Sequence, residues 1–437
     1  MSDSRAALLR TGLTLAGLRL AGGLAAFAAT PIIARRFGLD PALDSFYIAS
    51  SIPFVLSSIA LIGGLETAVP PIFRQLSLTT EATDENGWGF VNALWPPALA
   101  GALVAAGVSF VLMPALLPRI APGLDATRQS VAVSMARVLL LAPIIAAPVG
   151  VWRGALIAKR KLIGPAALVA TGSAVYFAVV ALAPAALGVW TLVAATLAAG
   201  LTGLAGLLIV FPRALTARLR PTLNLRHPAL PTALALLVPL ALNELVYHAD
   251  IVIMRGYASQ VSAGTVAAYE FATRPLGTLI TLLLAGIVAP AFPELARTAR
   301  DLPAFRATLD HALKIMIAAA LPLAVGLALL SGPVVRLLYE RGRFTADDAA
   351  LVSAALAMLT PYFFLTALAQ PLAYATYARQ QPLWTLAASA AGLAFSAVGG
   401  YFLSQQFGLL GIAMGDGLGA VPLAGVLLWW RWRNMMD

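Results

Sequence analysis

Ionisable side chains are scarce in this sequence, and those falling inside long apolar runs are where chemistry would happen. In hydrocarbon each one costs several kcal/mol unless it is paired or used, which makes each a candidate. The densest group is Asn243, Glu244, Tyr247, His248 and Asp250. Glu244 and His248 are four residues apart, hence on one face of a helix, with Tyr247 beside them. Glu270 and Arg274 repeat that spacing with the acid N-terminal, the favourable order for a helical ion pair. Arg274 suits an anionic headgroup, while Glu244, Asp250 or Glu270 suits a coupling cation or proton. Mutual neutralisation of Glu270 and Arg274 at a helix contact is the competing reading. His248 titrates near physiological pH if water reaches it and is otherwise a hydrogen-bonded packing residue.

Earlier in the chain, Arg19 and Glu66 are isolated within apolar runs, with Arg137 and Arg153 near the ends of another. Arg19 either snorkels to the interface or meets substrate; Glu66, deep in its run within GGLETAVPP, is harder to explain by snorkelling. Asp416 lies among glycines in GIAMGDGLGA, where close helix packing explains the glycines and leaves the carboxylate in need of a partner. Arg274, Arg19, Arg137 and Arg153 are thus the candidate substrate contacts. Glu66, Glu244, His248, Asp250, Glu270 and Asp416 are the coupling or ion-pair candidates, for H+ or Na+.

Enzyme constellations are missing: there is no Walker motif, HExxH or GxSxG, and no metal-ligand spacing. Cysteine is absent, which removes disulfides and thiol chemistry. Asp347 and Asp348 could suggest metal-assisted glycosyl transfer, but after Thr345 they read as acids at a helix start, favoured by capping and the helix dipole.

The elements that must hold these residues are membrane helices. The 437 residues are 60% hydrophobic and 11% charged, with a mean hydropathy of +0.87, against about 25% charged in soluble domains. Apolar runs long enough to span recur at 10–36, 43–76, 89–115, 128–157, 163–186, 188–212, 231–256, 264–293, 308–331, 349–378, 382–404 and 409–431. The first is too long for a cleaved signal and no cleavage site follows it. The net charge of +10 sits at the ends of these runs, so it marks topology and headgroup contact with membrane lipids rather than nucleic acid. With the N-terminus inside, most basic residues, including Lys159, Arg160, Lys161, Arg218, Arg220, Arg226 and Arg431, face the cytoplasm. Both termini are therefore expected there.

The two halves also resemble each other. FYIASSIP (Phe46 to Pro53) matches AYEFATRP (Ala268 to Pro275), and VPPIFRQL (Val69 to Leu76) matches APAFPEL (Ala289 to Leu295). Asp125 and Asp347 each open a run with an internal proline, Pro143 or Pro361, closed by AKRKLIGP or ARQQPLW. Parallel repeats of six helices imply two bundles that rock around a central cavity. The expected fold is an all-α polytopic membrane protein of about twelve transmembrane helices in two pseudo-symmetric six-helix lobes. The N-terminal lobe is assigned to 1–217, a cytoplasmic linker to 218–230, and the C-terminal lobe to 231–437.

ARRFGLDPALDSFYIASSIPFVLSSIALIGGLETAVPPIF (Ala34 to Phe73) resembles the first-to-second helix region of the MurJ/MviN lipid II flippases. LSGPVVRLLYERGRFTADDA (Leu330 to Ala349) is similar to the loop before their tenth helix. The resemblance implies the multidrug/oligosaccharidyl-lipid/polysaccharide exporter superfamily: alternating access, a cationic cavity, and a lipid-linked saccharide flipped outward across the bacterial cytoplasmic membrane. It places Asp44 and Arg274 where the family carries charged residues, the latter a cavity arginine. The sequence departs at Gly23, Ala29 and Thr30 in the first helix, at Ser57, Ser58 and Ile62 in the second, and at Gly277 in the eighth. The family usually has two further C-terminal helices past the point matching Arg433. The expected substrate is lipid II or a polysaccharide repeat unit on polyprenyl pyrophosphate, with cell-envelope synthesis proteins as partners. A cation-coupled drug or metabolite exporter of the same fold, selecting through Glu66, Glu244 and Glu270, and a non-transporting envelope scaffold are the alternatives.

Overall fold

The structure, a computed structural model, describes residues 2–61, 65–78, 85–210 and 226–435, together with positions 220, 222 and 224. The described residues form helices joined by short turns and contain no strand. In chain order these are α1 (Ser2–Phe37), α2 (Pro41–Leu61), α3 (Leu65–Leu78), α4 (Glu85–Ile120), α5 (Ala126–Leu139), α6 (Leu141–Ala158), α7 (Ile163–Leu182) and α8 (Trp190–Val210). After the linker come α9 (Leu230–Val261), α10 (Thr265–Leu283), α11 (Ala289–Thr298), α12 (Leu302–Tyr339), α13 (Ala346–Met358), α14 (Thr360–Ala378), α15 (Pro382–Phe407) and α16 (Leu409–Met435). A π turn, Leu284–Val288, joins α10 to α11. Among the described residues, eleven stretches are long and apolar enough to cross a bilayer, and α13 with α14, bent by 42°, makes a twelfth. The expected run at 43–76 is described as α2 and α3, with 62–64 outside the described residues. Helices prevail because in lipid every backbone N–H and C=O must be satisfied within its own segment. Large apolar side chains such as Val111 and Leu329 then remain exposed on outer faces.

The repeat is carried down to single hydrogen bonds. The run opened by Asp125 breaks at Leu140 between α5 and α6, and the run opened by Asp347 breaks at Leu359 between α13 and α14. Both second pieces end in the same way. Arg160 (φ 58°) and Gln380 (φ 57°) are left-handed, and the N–H that follows each reaches back five residues. Lys161 donates to the Leu156 carbonyl at 2.9 Å, and Gln381 to that of Thr376 at 2.8 Å, the bond that closes a helix through a left-handed residue. The helix-start reading of Asp348 also holds: Thr345 and Asp348 exchange side-chain and backbone bonds as a capping box at α13.

Two compact units are formed. One comprises 1–29, 49–119 and 126–245; the other comprises 30–48, 120–125 and 246–437. Helices α1, α2 and α9 therefore give residues to both units.

Proline shapes the first unit in two places. Pro96 cannot donate to the carbonyl four residues back, that of Asn92. That carbonyl accepts instead from Thr222 N–H at 3.2 Å, and the Asn92 side-chain oxygen accepts from Arg220 N–H at 3.0 Å. The backbone at Arg220 and Thr222 is thus held to α4, and Ala229, Leu230 and Ala233 join Phe90, Val91 and Leu94 in one apolar cluster. Pro114 similarly releases the Phe110 carbonyl, which accepts from Arg137.

Candidate functional site

In the first unit, the charged residues converge on α3 and α6. Gly150 lets α6 approach the end of α2 closely; a Cβ there would lie 2.4 Å from the Ala60 carbonyl oxygen. This packing brings Arg153 to Glu66, with guanidinium and carboxylate 3.1 Å apart and both side chains largely buried. Arg19, exposed on α1, lies within electrostatic reach of Glu66. Arg137 stands apart from this pair. Its Nε donates to the Phe110 carbonyl at 3.3 Å and its guanidinium lies 4.5 Å from the Phe110 ring centroid, so it seals the bond that Pro114 leaves open.

In the second unit, Asp44 is buried with both carboxylate oxygens committed. It accepts from Gly264 N–H at 2.6 Å and Ala267 N–H at 2.8 Å. Gly264, the residue before α10, sits at φ +86°, where a side chain is strained, and offers no side-chain cap of its own. Asp44 therefore caps α10 from another helix, where a negative charge also meets the positive end of the helix dipole.

That capped helix presents Glu270 and Arg274. Glu270 is 5% exposed, and its carboxylate faces two guanidinium groups. Arg255 on α9 donates to it at 2.7 Å, while Arg274 approaches its other oxygen at 3.7 Å. Arg255 also donates to the Tyr47 carbonyl at 2.9 Å. The expected Glu270–Arg274 pair is present, but the short bond belongs to Arg255.

Deeper in the same unit, Asp250 accepts from Ser396 Oγ. Asp416 accepts from Tyr269 Oη at 2.7 Å through one oxygen, and its other oxygen is buried with no hydrogen-bond partner among the described residues. Asp250 lies within electrostatic reach of Asp416. Beside these acids α15 and α16 approach closely: a Cβ on Gly415 would meet the Gly400 Cα at 2.5 Å. His248 is buried on α9 with its ring 5.1 Å from that of Tyr247, and Glu244, one turn earlier on the same helix, is half-buried and belongs to the first unit.

Sequence reasoning missed Arg255, Tyr269 and Ser396. Arg255 falls at the edge of its apolar run and reads as a helix end. Tyr269 was within view, beside Glu270 in the repeated AYEFATRP.

The profile of the family described as lipid II flippase MurJ matches residues 33–436. The lipid II flippase MurJ of Burkholderia cenocepacia is 27% identical over 429 residues, covering 94% of this chain and 81% of that protein. The structure of a lipid II flippase MurJ in an inward closed conformation superposes with a TM-score of 0.81 at 16% identity, over 96% of this chain and 87% of that one. An inward-facing multidrug resistance MATE family transporter reaches 0.76 at 18% identity, over 97% and 98%. At such identities the structural likeness speaks to the fold. The match of the family profile along nearly the whole sequence goes further: this multi-pass membrane protein belongs to the MurJ family, whose members are transporters and not enzymes.

Proposed function

We propose that the chain is an alternating-access flippase that carries a lipid-linked saccharide on a polyprenyl pyrophosphate from the inner to the outer leaflet. Arg274 carries this reading: its side chain is half exposed, and it shares one buried carboxylate with a second arginine, so the group keeps a net positive charge. Pyrophosphate wants such fixed cations. Lipid II is the substrate named for the relatives, and a polysaccharide repeat unit shares its headgroup chemistry. A cation exporter is less supported, because Glu66 and Glu270 are each neutralised by an arginine. Asp250 and Asp416, which have hydroxyl partners rather than guanidinium ones, are the seat we assign to a coupling H+ or Na+. The charge bias of the loops supports a cytoplasmic location for both termini, and proteins of envelope synthesis are the partners such a placement suits.

The test is the appearance of a labelled lipid-linked precursor at the outer face of proteoliposomes. The purified protein should accelerate it, and Arg274→Ala should abolish the acceleration. No acceleration for lipid II and for a polysaccharide precursor alike would sink the flippase reading. Full acceleration by Arg274→Ala would remove Arg274 from the headgroup site and leave transport itself standing.

A further inference from the structure

Arg255 is the most deeply buried cation described in the second unit. The residue is 7% exposed, and its guanidinium is held on three sides. Nε donates to Glu270 at 2.7 Å, Nη1 donates to the Tyr47 carbonyl at 2.9 Å, and the Tyr47 ring centroid lies 5.7 Å away. The residue after it, Gly256, sits where a Cβ would be 2.4 Å from the Ile120 carbonyl oxygen. Close helix contact thus fixes the depth at which the guanidinium enters. Burying a charged arginine this thoroughly is unfavourable unless it is well partnered, and these contacts hold it against Glu270.

The three charged residues form a row from buried to exposed. Side-chain exposure runs from 9% for Arg255 and 7% for Glu270 to 50% for Arg274. The row sums to one positive charge, and geometry decides where that charge is felt. A guanidinium at 2.7 Å makes a charge-assisted hydrogen bond, whereas one at 3.7 Å is beyond hydrogen-bond range. Glu270 is therefore neutralised from behind by Arg255, and the surplus lies on Arg274. Without Arg255, the buried carboxylate would have Arg274, four residues on, as its remaining ion-pair partner. An uncompensated buried charge is strongly unfavourable, so Arg274 would be drawn inward and cancelled. In the first half, the positions matching Glu270 and Arg274 within FYIASSIP are Ile48 and Ile52, so the row belongs to the second repeat alone.

We propose that Arg255 is a positioning residue for the headgroup site: by neutralising Glu270, it keeps the charge of Arg274 available to a pyrophosphate-bearing ligand. This rests on the reading that Arg274 meets that headgroup, and the two claims separate in one experiment. Binding of inorganic pyrophosphate to the purified full-length protein in detergent is measured by calorimetry. The variants are Arg255→Met, Arg255→Lys, Glu270→Gln, the double Arg255→Met/Glu270→Gln, and Arg274→Ala. Arg255→Met should weaken binding about tenfold, the equivalent of one charge-assisted contact. Adding Glu270→Gln should restore it to within about threefold of the parent, since Arg274 then has no carboxylate to cancel it. Arg255→Lys should fall between.

The same ranking is expected in the KM for a labelled lipid-linked precursor, with the maximal rate moving less. Parent-like binding by Arg255→Met, or a double variant no better than the single, would overturn the proposal. Should Arg255→Met fail to give monodisperse protein, the comparison is between Glu270→Gln and the double variant. Equal affinity supports the positioning role, and weaker binding by the double would refute it, since Arg255 would then be acting on its own account. Unchanged binding by Arg274→Ala would instead remove the headgroup reading on which the proposal stands.

Discussion

Each unit of this protein buries a glutamate against an arginine from another helix, yet the two arrangements differ in kind. In the first unit, Glu66 and Arg153 meet at 3.1 Å with side chains 19% and 14% exposed, and the Arg153 Nε is buried with no hydrogen-bond partner among the described residues. In the second, Arg255 and Glu270 meet at 2.7 Å with exposures of 9% and 7%, and a backbone carbonyl satisfies another guanidinium nitrogen. One contact is a pair; the other is a backbone-anchored pair with a second arginine at its open end. The pseudo-symmetric halves thus share helix breaks and helix ends but not the handling of charge. Substrate contact, if it follows the surplus cation, is weighted to the second half.

The comparison can be broken most forcefully at Glu270. Glu270→Ala strands two arginines, one fully buried, and should destabilise the protein by about 3–5 kcal/mol, read as a loss of thermal stability in detergent. Glu66→Ala should cost less, about 1–3 kcal/mol, because Arg153 retains some access to water. Equal losses at the two sites would mean that burial does not set the difference. The double change Arg153→Leu/Glu66→Met should recover most of the stability, since an apolar pair of similar volume replaces a half-satisfied one.

Backbone anchoring supplies smaller effects. Asp44→Ala removes two acceptors from the start of α10 and should cost about 1–2 kcal/mol, with faster amide exchange at Gly264 and Ala267 as the local readout. Asp44→Asn, which keeps one acceptor, should lose about half as much. Arg137→Leu should cost about 1 kcal/mol by exposing the unbonded Phe110 carbonyl, and Pro114→Ala should abolish that cost by restoring the helical bond.

The smallest effect is a pH dependence at the linker. Burial pushes the His227 imidazole below its ordinary value, and its Nδ1 accepts from Ala229 N–H, which requires the neutral ring. Its contribution is present above the unfolded value near ~6.5 and is lost as pH falls through the lower folded one, because the unfolded chain then binds the extra proton. The protection of the Ala229 amide, its exchange rate taken relative to the intrinsic rate at each pH, should therefore fall from about pH 7.5 to about 5.5, either side of the ordinary imidazole range. His227→Gln should flatten that response.

Much of the fold was legible in the sequence because length and apolarity decide it: a run of sufficient length has no alternative in lipid to closing its own hydrogen bonds. The repeat was legible to the level of AKRKLIGP and ARQQPLW, whose matching ends are two instances of one turn. The site was legible only where partners are neighbours in sequence. Glu270 and Arg274 announce themselves through helical spacing. Asp44 and its helix cap are separated by 220 residues, and Arg255 comes within reach of Glu270 only because α9 and α10 fold back on each other. Tyr269 and Asp416 lie 147 residues apart. Nothing local encodes such a meeting; it follows from packing, which the glycines of α15 and α16 permit without specifying which side chains come together.

Helices α1, α2 and α9 each give residues to both units, so the stiffness of these helices where they change unit is a local property. Proline lies close to two of these points: Pro31 follows the change in α1, and Pro53 releases the carbonyl of Ala49, the residue at which α2 changes unit. Each missing bond lowers the bending stiffness of its helix at that point. A substitution as mild as proline to alanine would stiffen the helix there while leaving every charged side chain in place.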